Sequence, residues 1–222
     1  MKNYLNWLNE ESLEIVIISI KVVLVSSIIS FIISFFIFFL ILDKKLKFFF
    51  TLLQSFLFIP SVLLGLLIYI VFKRNGLLGF LNLLYSSKIV IIGETILIIP
   101  LMTLFIINGI KERFYEIKEI NKVFSGNLWK NMVLIINECK ESLIASFIVG
   151  SSRVIGETGL AMIVGGNIKG ETRLFSTSIV LYTMRGEIEK GIYAGIYLLI
   201  FSLILNFIYF YFSKDGNIFK EY

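Results

Sequence analysis

An all-α polytopic membrane protein is the fold class this sequence predicts, on three observations. Of its 222 residues 57% are hydrophobic, 22 of them phenylalanine. Mean hydropathy is +0.88, more apolar surface than one soluble core of this length can hide. Finally, several apolar runs approach or exceed the ~20 residues that cross a bilayer as a helix. Five spans are expected, near 14–42, 48–73, 87–110, 141–165 and 189–213. The whole chain, 1–222, then reads as a single transmembrane domain with no separate soluble part.

The first run follows "MKNYLNWLNEESLE". That leader is acid-leaning, lacks a basic region and is followed by no small-residue cleavage site, so the run is expected to be a retained span and not a signal peptide. It is longer than a bilayer core at ~1.5 Å per residue and should tilt or begin along the surface. Lys21, near its outer end, can snorkel. The second and third runs contain the only two prolines, Pro60 and Pro100. Each removes a helix hydrogen bond and is expected to kink its helix, either as a plain bend or as one that shapes a pathway.

Charge bias sets an expected orientation. Glu10, Glu11 and Glu14 precede the first span and Lys44, Lys45 and Lys47 follow it. After the third span come Lys111, Arg113, Lys118, Lys122, Lys130 and Lys140. Both basic segments belong inside, which puts the N-terminus outside and the C-terminus inside. The "KRNG" loop is basic yet falls outside, so the rule is followed imperfectly. The net charge of +5 is then accounted for by lysines flanking spans, and no nucleic-acid partner is expected.

Residues 111–140 are too polar to cross and too periodic to be a loop. Phe114, Ile117, Ile120 and Phe124 recur at helical spacing, "SGN" (Ser125 to Asn127) offers a break, and Leu128, Trp129, Met132 and Val133 begin a second apolar face. Two short amphipathic helices joined by a small-residue turn are expected. They either lie on the inner leaflet or are presented to a cytoplasmic partner's groove.

The fourth span carries a charge pair. Arg153 and Glu157 stand four apart, on one helix face, where each neutralises a partner that alone would cost several kcal/mol. Gly150, Gly156 and Gly159, with Ser151 and Ser152, let another helix approach closely. The pair is either structural glue or a switch whose partners exchange between two states. Gly165, Gly166 and Asn167 form a helix stop, since glycine tolerates the left-handed conformation.

Catalysis is poorly provided for. The chain has no histidine, which removes Ser-His chemistry, His-ligated zinc and the helical zinc-protease motif. Its two aspartates, Asp43 and Asp215, lie at span ends, so no intramembrane aspartyl dyad is expected. No phosphate-cradling Gly-rich Lys motif is present. The lone Cys139 makes no internal disulfide. No metal or cofactor is expected on this chain. A passive channel and an intramembrane enzyme stand as the rival readings.

Two stretches carry a family resemblance. Glu119, Ile120, Asn121 and then Ser125-Gly126 resemble the Glu-Ala-Ala, three residues, Gly pattern of the coupling segment in ABC importer permeases, with the charge and turn kept and the small residues replaced. "SSRVIGETGLAMIVGGNIKGETRLFSTSIVL" resembles the tungstate-importing branch of molybdate/tungstate ABC permeases. There Arg153 and Glu157 match an Arg-x-x-x-Glu pair, Gly165, Gly166, Asn167 and Ile168 a glycine turn, and Gly170, Thr172 and Arg173 the next element. "FIPSVLLGLLIYIVF" and "NGLLGFLNLLYS" match more loosely.

The resemblance implies a type I ABC importer transmembrane fold and a permease subunit of an ATP-driven tungstate or molybdate importer in the cell membrane. Sulfate or another anion is the alternative cargo. It implies a homodimer, a separate ABC ATPase in two copies that uses ATP and Mg, and an external oxyanion-binding protein. Glu116, Glu119, Val123, Phe124, Ser125, Gly126 and Asn127 would meet the ATPase, and Arg153 and Glu157 would form a gate. Ser151, Ser152, Gly165, Gly166, Asn167, Gly170, Thr172 and Arg173 would belong to the outer loop or pathway. Lys169 and Arg173, among Thr172, Ser176, Thr177 and Ser178, would be either solvated or part of a vestibule for the oxyanion, held there weakly by hydroxyl and amide donors.

Overall fold

The computed structural model describes residues 11–44, 47–123 and 128–212, and every regular element among them is helical. In order these are α1 (Glu11–Lys44), α2 (Lys47–Phe56), α3 (Ser61–Phe72), a single 3-10 turn (Gly79–Leu81), α4 (Ser87–Val123), α5 (Leu128–Glu138), α6 (Lys140–Ile155), α7 (Gly159–Gly165), α8 (Phe175–Met184) and α9 (Ile188–Phe212). Three stretches are long and apolar enough to cross a membrane unaided: Ser12–Leu40, Ser87–Lys111 and Ile188–Phe207. Two more crossings arise if α2–α3, bent by 97°, and α6–α7, bent by 61°, each count as one broken span.

The prolines act differently from one another. Pro60 does more than kink a helix: it sits between α2 and α3 as the cap of α3, with ψ at 130°. A proline disfavours helical geometry in the residue before it and has no N–H to continue the ladder, so α2 stops and α3 starts afresh. Pro100 instead lies inside an unbroken α4, where its missing N–H leaves the Ile96 carbonyl without a ladder donor.

Carbonyls around Pro100 hold α1. Ser30 Oγ donates to the Thr95 carbonyl at 3.1 Å and Ser34 Oγ to the Ile99 carbonyl at 3.1 Å. The two contacts advance together, so α1 and α4 run parallel. Ser19, Ser26, Ser27, Ser30 and Ser34 are all buried, a row of small side chains that allows close helix approach within a membrane. By contrast α6 runs antiparallel to α4: Ser142 Oγ reaches the Gly109 carbonyl at 3.1 Å, and Gly150 lies against Met102. The starts of α1 and α4 and the loop after α7 therefore share one end of the bundle, opposite the α5–α6 junction.

The polar segment after the third span departs from expectation. Its first half is not a separate short helix but the continuation of α4, which runs 37 residues to Val123. No glycine or proline interrupts Lys111 to Val123, and Lys, Glu and Arg are good helix formers. The second half is α5. Phe124, Ser125, Gly126 and Asn127 lie outside the described residues. Residues 175–184 form α8, with Phe175 to Ser178 and Tyr182 buried.

Two apolar clusters fill the bundle, one around Val22, Ile89, Ile98, Leu160 and Val164, the other around Phe38, Ile106, Ile110, Ile135 and Leu143. Leu160, fully buried, is clasped between two glycines. A Cβ on Gly93 would lie 2.6 Å from Leu160 Cδ2, and one on Gly65 would lie 3.1 Å from the Leu160 Cα. Because that second neighbour is backbone, Gly65→Val is expected to force α3 off α7 and destabilise the chain by about 1–3 kcal/mol. Thermal melting of the purified chain in detergent checks it.

Past α8 the chain reverses at Gly186 (φ +74°), and the Glu187 amide closes onto the Tyr182 carbonyl at 2.9 Å. Lys190 donates to the Glu187 carboxylate, which holds that carboxyl below its ordinary range.

Candidate functional site

The site is built at the break in the fourth span. α6 ends at Ile155 and α7 begins at Gly159, so Arg153 and Glu157 do not share one continuous helix. They pair nonetheless: Arg153 Nη1 donates to Glu157 Oε2 at 2.6 Å. Glu157 also accepts the Leu160 amide on Oε1 at 3.2 Å, and its own carbonyl accepts Ser176 Oγ at 2.6 Å. One carboxylate thus neutralises the arginine, satisfies an orphan amide at the start of α7 and, through its backbone, ties the break to α8.

Exposure of the pair is lopsided. The Glu157 side chain is 3% exposed and that of Arg153 is 42%. Ser152 and Gly156 beside it are exposed too. The guanidinium therefore lies on the outside of this chain, on the last turn of α6 and inside the broken span, where lipid contact would be costly.

A third charged residue belongs here and was missed from sequence. Glu94, on α4, is 0% exposed, and neither carboxyl oxygen has a hydrogen-bond partner. The charged groups that act on it are Glu157 and Arg153. Leaving a buried polar group unsatisfied costs about 1–3 kcal/mol even before charge is considered. The signal was available: an ionisable residue inside an apolar run, in "IIGETILIIP", is a functional candidate by default.

Beyond α7 the chain is stitched by hydroxyls. Gly166 ends the helix in the left-handed region at φ +68°, its N–H meeting the Met162 carbonyl, and Asn167 follows at φ +51°. Thr172 Oγ1 donates to the Gly165 carbonyl at 2.6 Å and accepts the Ile168 amide at 2.9 Å. Thr177 Oγ1 accepts the Leu174 amide and donates to Asn167 Oδ1, both at 2.9 Å, while Asn167 Nδ2 reaches the Thr177 carbonyl at 3.2 Å. Arg173 Nη2 meets the Asn167 carbonyl at 3.5 Å. Across the bundle, Ser19 Oγ accepts the Phe175 amide at 3.0 Å.

Of the outer-loop residues singled out by sequence, Ser152, Gly166 and Gly170 are exposed, together with Lys169. Ser151, Gly165, Asn167, Thr172 and Arg173 are buried; Asn167, Thr172 and Arg173 use side chains to hold the loop, Gly165 supplies a carbonyl, and Ser151 Oγ donates to the Phe147 carbonyl within α6 at 2.8 Å. Thr177→Val, equal in shape, is expected to cost about 1–3 kcal/mol by stranding the Leu174 amide and Asn167; a lowered melting temperature with unchanged helicity is the readout. Among the expected coupling residues, Glu116 is exposed on α4, and Glu119 and Val123 lie on its last turns. Phe124 to Asn127 are, as noted, outside the described residues. Among the described residues no cluster of metal-ligating side chains exists.

No family model matches the chain. It is 38% identical over 160 residues to the tungstate uptake system permease protein TupB of Peptoclostridium acidaminophilum, covering 72% of this chain and 70% of that one. With the protein of the same name from Campylobacter jejuni it shares 35% identity over 165 residues, 74% of this chain and 69% of the relative. A probable anion ABC transporter permease protein of Haloferax volcanii is 29% identical over 152 residues, 66% of each chain.

Proposed function

Because the chain belongs to the ABC-transporter permeases of the tungstate and anion uptake kind, a multi-pass subunit of the cell membrane and not a catalyst, we propose that it conducts tungstate, or the closely similar molybdate, inward by alternating access. The observation that carries this reading is the half-exposed Arg153 at a break in a membrane span, its charge held by a buried glutamate. A cation on the outer surface of an apolar bundle calls for a water-filled path or a second copy of the chain beside it, and a homodimer with the path between copies provides both.

In this scheme the N-terminus is outside and the C-terminus inside. The start of α4 and the loop after α7 face an external binding protein that delivers the oxyanion. The far end of α4, residues 124–127 and α5 dock two copies of an ABC ATPase, which binds ATP and Mg; this chain holds neither. The bundle geometry supports that division, since the start of α4 and the loop after α7 lie opposite the α5–α6 junction. ATP-driven closure of the ATPases draws the coupling segments together and repacks the bundle, and binding from either side of the membrane biases one packing over the other.

The test is reconstitution of the chain with its ATPase and binding protein in liposomes. Tungstate or molybdate is expected to raise ATP turnover and to accumulate inside. Turnover indifferent to every oxyanion would overturn the substrate assignment.

A further inference from the structure

We propose that Glu94 is a positioning residue for the intramembrane arginine: in the opposite conformation of the permease, Arg153 leaves Glu157 and pairs with Glu94. The inference rests on the alternating-access reading above and adds to it the identity of the second acceptor.

Three observations on the molecule carry it. First, Glu94 is completely buried with both oxygens unpartnered, an arrangement that folded proteins keep only where another requirement holds it in place. Second, Glu94 lies one residue from the contact between α4 and the start of α7, and Glu157 and Arg153 are the charged groups that act on it. Its neighbour Gly93 receives the Leu160 side chain, and the Leu160 amide is bound to Glu157. Third, Arg153 is equipped to move. Of its five donors one is engaged, on Glu157 Oε2, and it stands on the last turn of α6, before Gly156, where an added Cβ would meet only the Ser152 carbonyl at 3.9 Å.

Glu157 would tolerate the exchange. On losing Arg153 it keeps the Leu160 amide, so one acceptor is anchored while the cation travels. In the arrangement seen here the dissatisfied group is Glu94; in the other it becomes the ion-paired one. Each packing would leave a different carboxyl without the arginine, so binding from either side of the membrane can bias one over the other. Besides Arg153 and Glu157, the polar groups offered near this level by α1 are the serine hydroxyls, of which Ser27 Oγ is itself buried without a partner.

The experiment uses the complete transporter in lipid nanodiscs with spin labels on the exposed Ser152 of both copies, measuring the inter-label distance nucleotide-free and with ATP held by a hydrolysis-deficient ATPase. Wild type is expected to change distance with ATP. Glu94→Gln, nearly isosteric, is expected to keep one of the two distance distributions and to depopulate the other by about tenfold. Arg153→Met removes the pair from both states and should shift the balance little, and adding Glu94→Gln to it should shift it no further. Equal disturbance of both states by Glu94→Gln, or strictly additive shifts, would assign Glu94 a purely structural role and overturn the inference. An unaltered ATP response in Glu94→Gln would overturn it alone, leaving the permease reading intact. A wild type whose distance ignores ATP would overturn both.

Discussion

Glu157→Gln is expected to destabilise the bundle by about 2–3 kcal/mol and to abolish ATP-driven uptake. Glutamine keeps an oxygen for the Leu160 amide, so the substitution removes the charge and little else. Breaking a fully buried ion pair costs about 3–5 kcal/mol; the figure here is lower because Arg153 is 42% exposed and retains some solvation. The companion variant Arg153→Met/Glu157→Gln should recover most of the lost melting temperature, since it leaves no orphan cation. Uptake should stay lost in the double variant, because the gate is gone even though the fold is restored. A double variant that transports at the wild-type rate would reduce the pair to structural glue.

The second large effect is expected at the far end of α4. Glu119→Lys reverses a charge in the segment proposed to dock the ATPase, well past the membrane-crossing part of the helix that ends near Lys111. Lysine is as good a helix former as glutamate, so the chain should fold and insert as before. ATPase affinity should fall by about thirtyfold, corresponding to about 2 kcal/mol for a central interface residue, and uptake should fall with it. Co-purification of the ATPase with the variant permease and flux in liposomes give the two readouts. Normal docking with normal flux would move the coupling surface elsewhere on the chain.

The apolar helices were legible because hydropathy is written residue by residue, and the five apolar runs overlap α1, α2–α3, α4, α6–α7 and α9, three of them single helices long enough to cross and two of them bent pairs. Spacing alone also brought Arg153 and Glu157 together. What sequence could not convey was continuity. A polar stretch after Lys111 looked like a new helix, yet with no breaker before Val123 the third span simply extends. Conversely "RVIGETG" looked like one helix, yet it turns at Gly156, with Glu157 taken up by the next helix's amide. In α8 the hydroxyls of Ser178 and Thr183 bond the Leu174 and Ile179 carbonyls four positions back, at 2.5 and 2.8 Å, so they are satisfied within the helix itself. Glu94 was visible as an ionisable residue in an apolar run, but that both its oxygens lack partners is a property of packing that no periodicity records.

The unbroken α4 has a mechanical corollary. Its 37 residues make a rod about 55 Å long, and a tilt of about 10° about its middle swings each tip through about 5 Å. Pro100 leaves the rod one rung short near that middle, the natural fulcrum, and Glu94 rides on the short side of it. A pull on the Val123 tip would therefore be felt at Glu94 as a smaller, reversed displacement, with the serines of α1 acting as the bearing.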